Sequence, residues 1–135
     1  MHKITAKFSN IKALVVDDYP INLELIKEML EMMGCNVDSA EDGLEALELH
    51  NKNAYDIIFM DIQMPNMDGY EATKQIRDAE GKKIHTPIIA ITANALSGDK
   101  KKCLDAGMDN YISKPIRSES LGSMVNKYTN EGKNE

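Results

Sequence analysis

Cysteine and histidine are scarce in this chain of 135 residues, and positive charge is outnumbered by negative; each deficit removes a class of function. Cys35 and Cys103 stand alone with no Cys-x-x-Cys pair. They read as small apolar residues of a reduced, cytoplasmic chain, not as a disulfide or a metal site. His2, His50 and His85 have neither ligand nor triad spacing. Lys and Arg number 16 against 22 Asp and Glu, a net charge of -6. Phosphate neutralisation needs clustered cations, so a nucleic-acid surface is not expected and an acidic site or face is. No window approaches the roughly 18 apolar residues of a membrane span. Met1-His2-Lys3-Ile4 also lacks the apolar core of a signal peptide. The chain therefore reads as soluble and without a membrane contact of its own.

The length suits one domain that buries about two thirds of its unfolded surface around a single core. Residues 1–10 are short, polar and aperiodic and read as a linker or frayed end, residues 11–128 as the domain, and residues 129–135 as a disordered tail. Within the domain, Ile57-Ile58-Phe59-Met60 is a continuous apolar run, the pattern of a strand covered on both faces in a parallel sheet. Ala13-Leu14-Val15-Val16 and Pro87-Ile88-Ile89-Ala90-Ile91 repeat it, with Pro87 at the first position, where a strand tolerates proline. Cys35 to Ser39 alternates instead, as an edge strand does, and Asn110-Tyr111-Ile112-Ser113 is a short fifth strand. Amphipathic helices fill the intervals. The first opens at Pro20 with a stripe of Ile21, Leu25, Met29 and Met33, widened by Ile26 and Leu30, and closes at Gly34. The second starts near Asp42 and carries Leu44, Ala46 and Leu47. The third carries Ala72, Ile76 and Ala79, and its highly charged far end near Gly81 reads as facing water. The fourth turns Leu96, Cys103 and Leu104 inward and Lys100-Lys101-Lys102 outward, stopping at Gly107. The fifth spaces Leu121, Met124, Val125 and Tyr128 at i, i+3, i+4 and i+7.

Strands alternating with helices call for a parallel sheet covered on both faces, with right-handed crossovers. The edge pattern of the second strand gives a flavodoxin-like order, 2-1-3-4-5, with a switch point between strands 1 and 3. Ligands of such sheets sit at the carboxyl ends of the strands. There the sequence places Asp17 and Asp18 after strand 1, Asp61 on strand 3, Thr92 after strand 4 and Lys114 after strand 5. Three carboxylates this close raise one another's pKa and need a cation. Oxygen ligands, few in number and leaving room for water and a phosphoryl group, suit Mg²⁺. Lys114 adds positive charge and Thr92 a donor for an anionic oxygen, so the set suits phosphoryl transfer, which depends on positioning and charge neutralisation. Asp61, the acid on the central strand, is the nucleophile of this reading.

With these motifs together the chain resembles the receiver domains of two-component response regulators over roughly residues 11 to 128. The carriers are Val15-Val16-Asp17-Asp18, the Asp61 strand with Met64-Pro65-Asn66-Met67-Asp68-Gly69, Thr92-Ala93, and Tyr111-Ile112-Ser113-Lys114-Pro115. The resemblance implies a CheY-like fold and transfer of a phosphoryl group to Asp61 from a histidine kinase or a histidine-containing phosphotransfer protein. It implies Mg²⁺ held by Asp17 or Asp18, by Asp61 and by the Gln63 backbone carbonyl, with Lys114 and Thr92 on the phosphoryl oxygens. It further implies a cis bond before Pro115, a Thr92–Tyr111 switch acting on the face of helix 4, strand 5 and helix 5, and catalysis confined to the domain's own phosphorylation and dephosphorylation. The wording at Pro20-Ile21-Asn22, Ala93-Asn94-Ala95 and Ala106-Gly107-Met108-Asp109 is most similar to receivers attached to hybrid sensor kinases, whose parent can be membrane-anchored. Many of those carry Asn where this chain has Tyr19, which alters the rim of the site and leaves the metal ligands intact. Two other readings share parts of the pattern. A haloacid-dehalogenase-type phosphatase needs a second acid two residues after the nucleophile, where Gln63 stands. An FMN carrier needs a Gly- and hydroxyl-rich loop after strand 1, where Asp17-Asp18 would repel phosphate.

Overall fold

The structure, a computed structural model, describes residues 8–64, 67–93 and 97–129. Its elements follow in strict alternation: β1 Lys12–Val16, α1 Pro20–Met32, β2 Asn36–Ala40, α2 Gly43–Lys52, β3 Ile57–Asp61, α3 Gly69–Glu80, β4 Ile88–Thr92, α4 Ser97–Ala106, β5 Asn110–Ser113 and α5 Ser118–Tyr128. The five strands form one parallel sheet in the expected order, β2-β1-β3-β4-β5. β1, β3 and β4 are interior, so both faces of their apolar runs are covered, and β3 and β4 are buried at every position.

Side chains alternate across a strand, so the sheet divides its apolar residues between two cores. Ala13, Val15, Ile57, Phe59, Ile89 and Ile91 pack under α1 and α5. Leu14, Val16, Ile58, Met60, Ile88 and Ala90 pack under α2, α3 and α4. Gly34 and Gly107, just past the ends of α1 and α4, have φ of 103° and 105°, the left-handed region glycine enters without a Cβ penalty.

Several expectations are corrected. Phe8 is 2% exposed and donates its backbone N–H to the Met33 carbonyl at 2.8 Å, so the packed unit reaches into the stretch read as a linker. Thr129, read as the start of the tail, is buried and its hydroxyl donates to the Val125 carbonyl. On α1 the buried line is Leu23, Ile26 and Leu30, while Ile21 and Leu25 are exposed. Leu44 and Leu104 are exposed as well, and Ala79 lies on the outer side of α3. Leu96 falls outside the described residues. The far end of α3 is not a water-facing surface throughout: Glu80 is buried, held by Arg77 at 2.7 Å and by His50 at 3.1 Å. Burial alone would raise the Glu80 pKa, but hydrogen bonds from Thr86, Arg77 and His50 outweigh it and hold the carboxyl below its usual range.

Gly69 begins α3 where the helix crosses back over β3, and its role is space. A Cβ there would lie 2.5 Å from the Asp61 carbonyl oxygen and 2.9 Å from the Ile62 Cα. Both are backbone atoms of the strand end and its following residue, so neither yields without moving the Asp61 segment. Gly69→Ala should therefore destabilise the fold by about 1 to 3 kcal/mol. Denaturant melts check this, and an unchanged midpoint would refute the close-approach argument.

Candidate functional site

Parallel pairing brings the carboxyl ends of β1, β3, β4 and β5 to one edge. The register aligns Val16 with Met60, Asp61 with Ile91, and Thr92 with Ser113, so the residues at and just past these ends meet there. Asp61 is the last residue of β3 and is 3% exposed. Asp17, the first residue after β1, is fully buried, whereas Asp18 is exposed. Carboxylate oxygens of Asp17, Asp18 and Asp61 all lie within 4.8 Å of one another. Lys114 Nζ approaches Asp61 Oδ1 at 3.5 Å, an ion pair at the long limit of a hydrogen bond. Its backbone N–H donates to the Thr92 carbonyl at 2.8 Å, which ties the β5 end to the β4 end. The Lys114–Pro115 bond is cis, as the resemblance implied.

The electrostatics follow from burial. Asp61 is pushed up to about 6, first by desolvation and then by the Asp17 charge, against the opposing pull of Lys114 and the Gln63 amide. Asp17 is raised as well, mainly by burial, while the Tyr19 backbone N–H, Lys114 and the Asn22 side chain pull it down. Asp17 Oδ1 accepts from the Tyr19 N–H at 2.9 Å, but its Oδ2 is buried without a hydrogen-bond partner. An unpartnered buried carboxylate oxygen facing two more carboxylates fits a hard cation. The donor set is all oxygen, which matches Mg²⁺.

Thr92 is the last residue of β4 and is nearly buried. It lines a cleft of about 510 Å³ with Gln63, Met64 and Tyr70. Tyr111 pairs with Ala90, two residues before Thr92, so Tyr111 and Thr92 lie on the same face of the sheet. Tyr111 is half-buried against the core under α2, α3 and α4, and so is not a residue standing free at the edge. Tyr19 is the N-cap of α1, makes no side-chain cap and is exposed at the rim. Asn22 was not singled out as a site residue from the sequence. It lines a cavity of about 150 Å³ with Asp17, Lys114 and Pro115. Its place on the first turn of the helix after Asp17-Asp18 is the signal that was available.

The family model for the response regulator receiver domain matches residues 13–126. The chain belongs to the response regulator receiver domain family. It is 46% identical over 127 residues to hybrid signal transduction histidine kinase L of Dictyostelium discoideum, covering 90% of this chain and 7% of that protein. It is 43% identical over 115 residues to the sensor histidine kinase RcsC of Salmonella typhi, covering 85% and 12%. The chain thus spans a small part of these relatives. Among solved structures, it superposes with a TM-score of 0.81 at 39% identity on the receiver domain of a Pseudomonas aeruginosa sensor histidine kinase with a magnesium ion in its active-site cleft, covering 89% of this chain and 98% of that one. It also matches a Saccharomyces cerevisiae co-crystal of the phosphotransfer protein Ypd1 and the receiver domain of Ssk1 with a TM-score of 0.83, at 32% identity and 90% coverage of each. Among the described residues of this receiver, no helix is long and apolar enough to cross a membrane.

The raised Asp61 pKa sets the sign of a pH effect. The folded carboxyl titrates near 6, above the roughly 4 of an unfolded aspartate, so the protonated form favours the fold. That contribution is complete below about pH 4 and is lost as the pH rises through 6. In chelator, Asp61→Asn should therefore be more stable than the parent at about pH 7.5, by on the order of 2 kcal/mol, with the gap closing toward pH 4. Denaturant melts across that range read it, and a gap independent of pH would contradict the assigned electrostatics.

Proposed function

We propose that this receiver domain takes a phosphoryl group from a phosphohistidine onto Asp61, in the cytoplasm and with Mg²⁺ present, and relays the signal by a conformational change or by onward transfer. The observation that carries the reading is the placement of a nearly buried Asp61 between two further carboxylates and the Lys114 ammonium. Asp17, Asp18 and Asp61, with the Gln63 carbonyl, would hold the ion. Bound there, Mg²⁺ neutralises charge on the carboxylates and on the oxygens of the incoming group.

In the transfer, an Asp61 carboxylate oxygen forms a bond to phosphorus as the P–N bond to the donor imidazole breaks, and the imidazole leaves with that electron pair. Lys114 lies beside Asp61 and opposes the charge that gathers on the phosphoryl oxygens, and the Thr92 hydroxyl donates to one of them. The domain thereby catalyses its own phosphorylation and dephosphorylation. The magnesium in the Pseudomonas receiver and the phosphotransfer protein bound to the Ssk1 receiver support this choice of ion and of partner, a histidine kinase or a phosphotransfer protein. Gln63 in place of a second acid, and the two acids after β1, weigh against the phosphatase and FMN readings.

Acetyl phosphate should label the protein once, at Asp61, and only with a divalent ion added. Asp61→Asn should abolish the label. Mass spectrometry of the borohydride-trapped protein checks this; phosphate on Ser, Thr or His would overturn the assignment.

Output is proposed to pass through Thr92 and Tyr111, which share a face on neighbouring strands. A phosphoryl oxygen that attracts the Thr92 hydroxyl shifts the equilibrium only by the difference in that interaction between the two arrangements. A charge-assisted hydrogen bond contributes roughly 1.5 to 3 kcal/mol, a shift of about tenfold to a hundredfold. Thr92→Ala should accept phosphate at Asp61 yet transmit it poorly to the α4-β5-α5 face. NMR shifts along that face with and without beryllofluoride measure the coupling, and a full response in Thr92→Ala would remove it.

A further inference from the structure

At the edge of the sheet opposite the carboxylates lies an ion network that the phosphoryl chemistry does not use. Its centre is Arg77, on the last turns of α3, with a side chain 17% exposed. Nη1 donates to Glu80 Oε1 at 2.7 Å and to the Thr86 carbonyl at 2.9 Å. Nε donates to the Gly107 carbonyl at 2.9 Å and Nη2 to Asp109 Oδ2 at 3.0 Å. One planar guanidinium thus joins the end of α3, the approach to β4, the residue just past α4 and the residue just before β5.

Each partner is itself held. Asp109 Oδ2 also accepts the Ile88 N–H at 2.9 Å, and Oδ1 lies 2.8 Å from His85 Nε2. Glu80 Oε2 accepts the Thr86 N–H at 3.0 Å and lies 3.1 Å from His50 Nε2. The packing is as tight as the bonding: a Cβ on Gly107, whose φ is 105°, would lie 3.1 Å from Arg77 Cγ. Moving the end of α4 would break the Gly107 bond, and moving the start of β5 the Asp109 bond, each leaving polar groups in a largely buried place unpaired. The Lys101–Asp105 pair, by contrast, lies within α4 and ties it to nothing else.

We infer that Arg77 is the fixed point of the α4–β5 segment: a change that begins at Thr92 is taken up by the first turns of α4, while its last turn and the start of β5 stay in place. Arg77 acts here as a positioning residue, remote from the reacting atoms. The inference rests on the phosphoacceptor reading for its trigger alone; the anchor itself is a property of the unphosphorylated protein.

Amide hydrogen exchange tests both parts. In the parent with Mg²⁺, beryllofluoride should change exchange at Lys100–Lys102 severalfold and leave Gly107, Met108 and Asp109 within about twofold. In Asp109→Asn, which keeps the shape of the side chain and weakens its hold on Arg77, exchange at residues 107–109 should rise about tenfold or more without any ligand. The β3 amides should keep their parent rates. Beryllofluoride should bind the variant as it binds the parent, and its effect should now extend to residues 107–109. A parent whose residues 107–109 respond as strongly as residues 100–102 would overturn the inference. So would a variant with parent rates at residues 107–109, or one whose exchange rises equally in β3. Failure of beryllofluoride to bind would sink the phosphoacceptor reading instead, and exchange in the unliganded variant would still decide the anchor.

Discussion

The constraint on which the site depends is the repulsion among carboxylates that the sheet forces together. Asp17 and Asp61 are both buried at neighbouring strand ends, and one ammonium, 3.5 Å from Asp61, opposes them. Desolvation by burial pushes both carboxyls up, and the Asp17 charge adds to the rise at Asp61. The same features that make the ionised site unfavourable by itself give it affinity for a divalent cation and for an anionic group that arrives with one. Function here is a cost to the empty fold, recovered when the charge is neutralised.

The sheet carries that cost. β1 and β3 are interior strands whose apolar residues fill both cores, and their pairing fixes where Asp17 and Asp61 stand. Gly69 adds a second restriction: α3 starts directly against the backbone at Asp61 and Ile62, leaving room for a hydrogen and little more. Asp61 is held by the sheet that ends on it and by the helix start beside it.

Much of this was legible in the sequence because the two signals coincide. Three apolar runs, each ending on a polar residue, identify interior parallel strands and place Asp17, Asp18, Asp61 and Thr92 at their ends, while the alternating second strand gives the order of the sheet and the short fifth strand adds Lys114. What stayed hidden depends on which surfaces meet. α1 has apolar residues at so many positions that periodicity fits more than one phase, and the packing selects Leu23, Ile26 and Leu30 over Ile21 and Leu25. Phe8 is a lone aromatic in a polar stretch, and its burial requires the groove beside Met33 to exist first. Arg77 and Glu80 look like ordinary helix-surface charges, since nothing local shows that the end of α3 abuts the turn leading into β4. Gly69 stands in the sequence only as the end of a motif, whereas what its position requires is clearance from the Asp61–Ile62 backbone.

The two ends of the sheet treat charge in opposite ways. At the carboxyl end, Asp17 Oδ2 is left without a partner and two carboxyls are raised. At the other end, Glu80 is just as inaccessible yet held below its usual range, because Thr86, Arg77 and His50 all donate to it. Burial is common to both; the supply of donors differs. The Arg77 network is the donor-rich counterpart of the carboxylate site, joining α3, the approach to β4, the residue past α4 and the residue before β5.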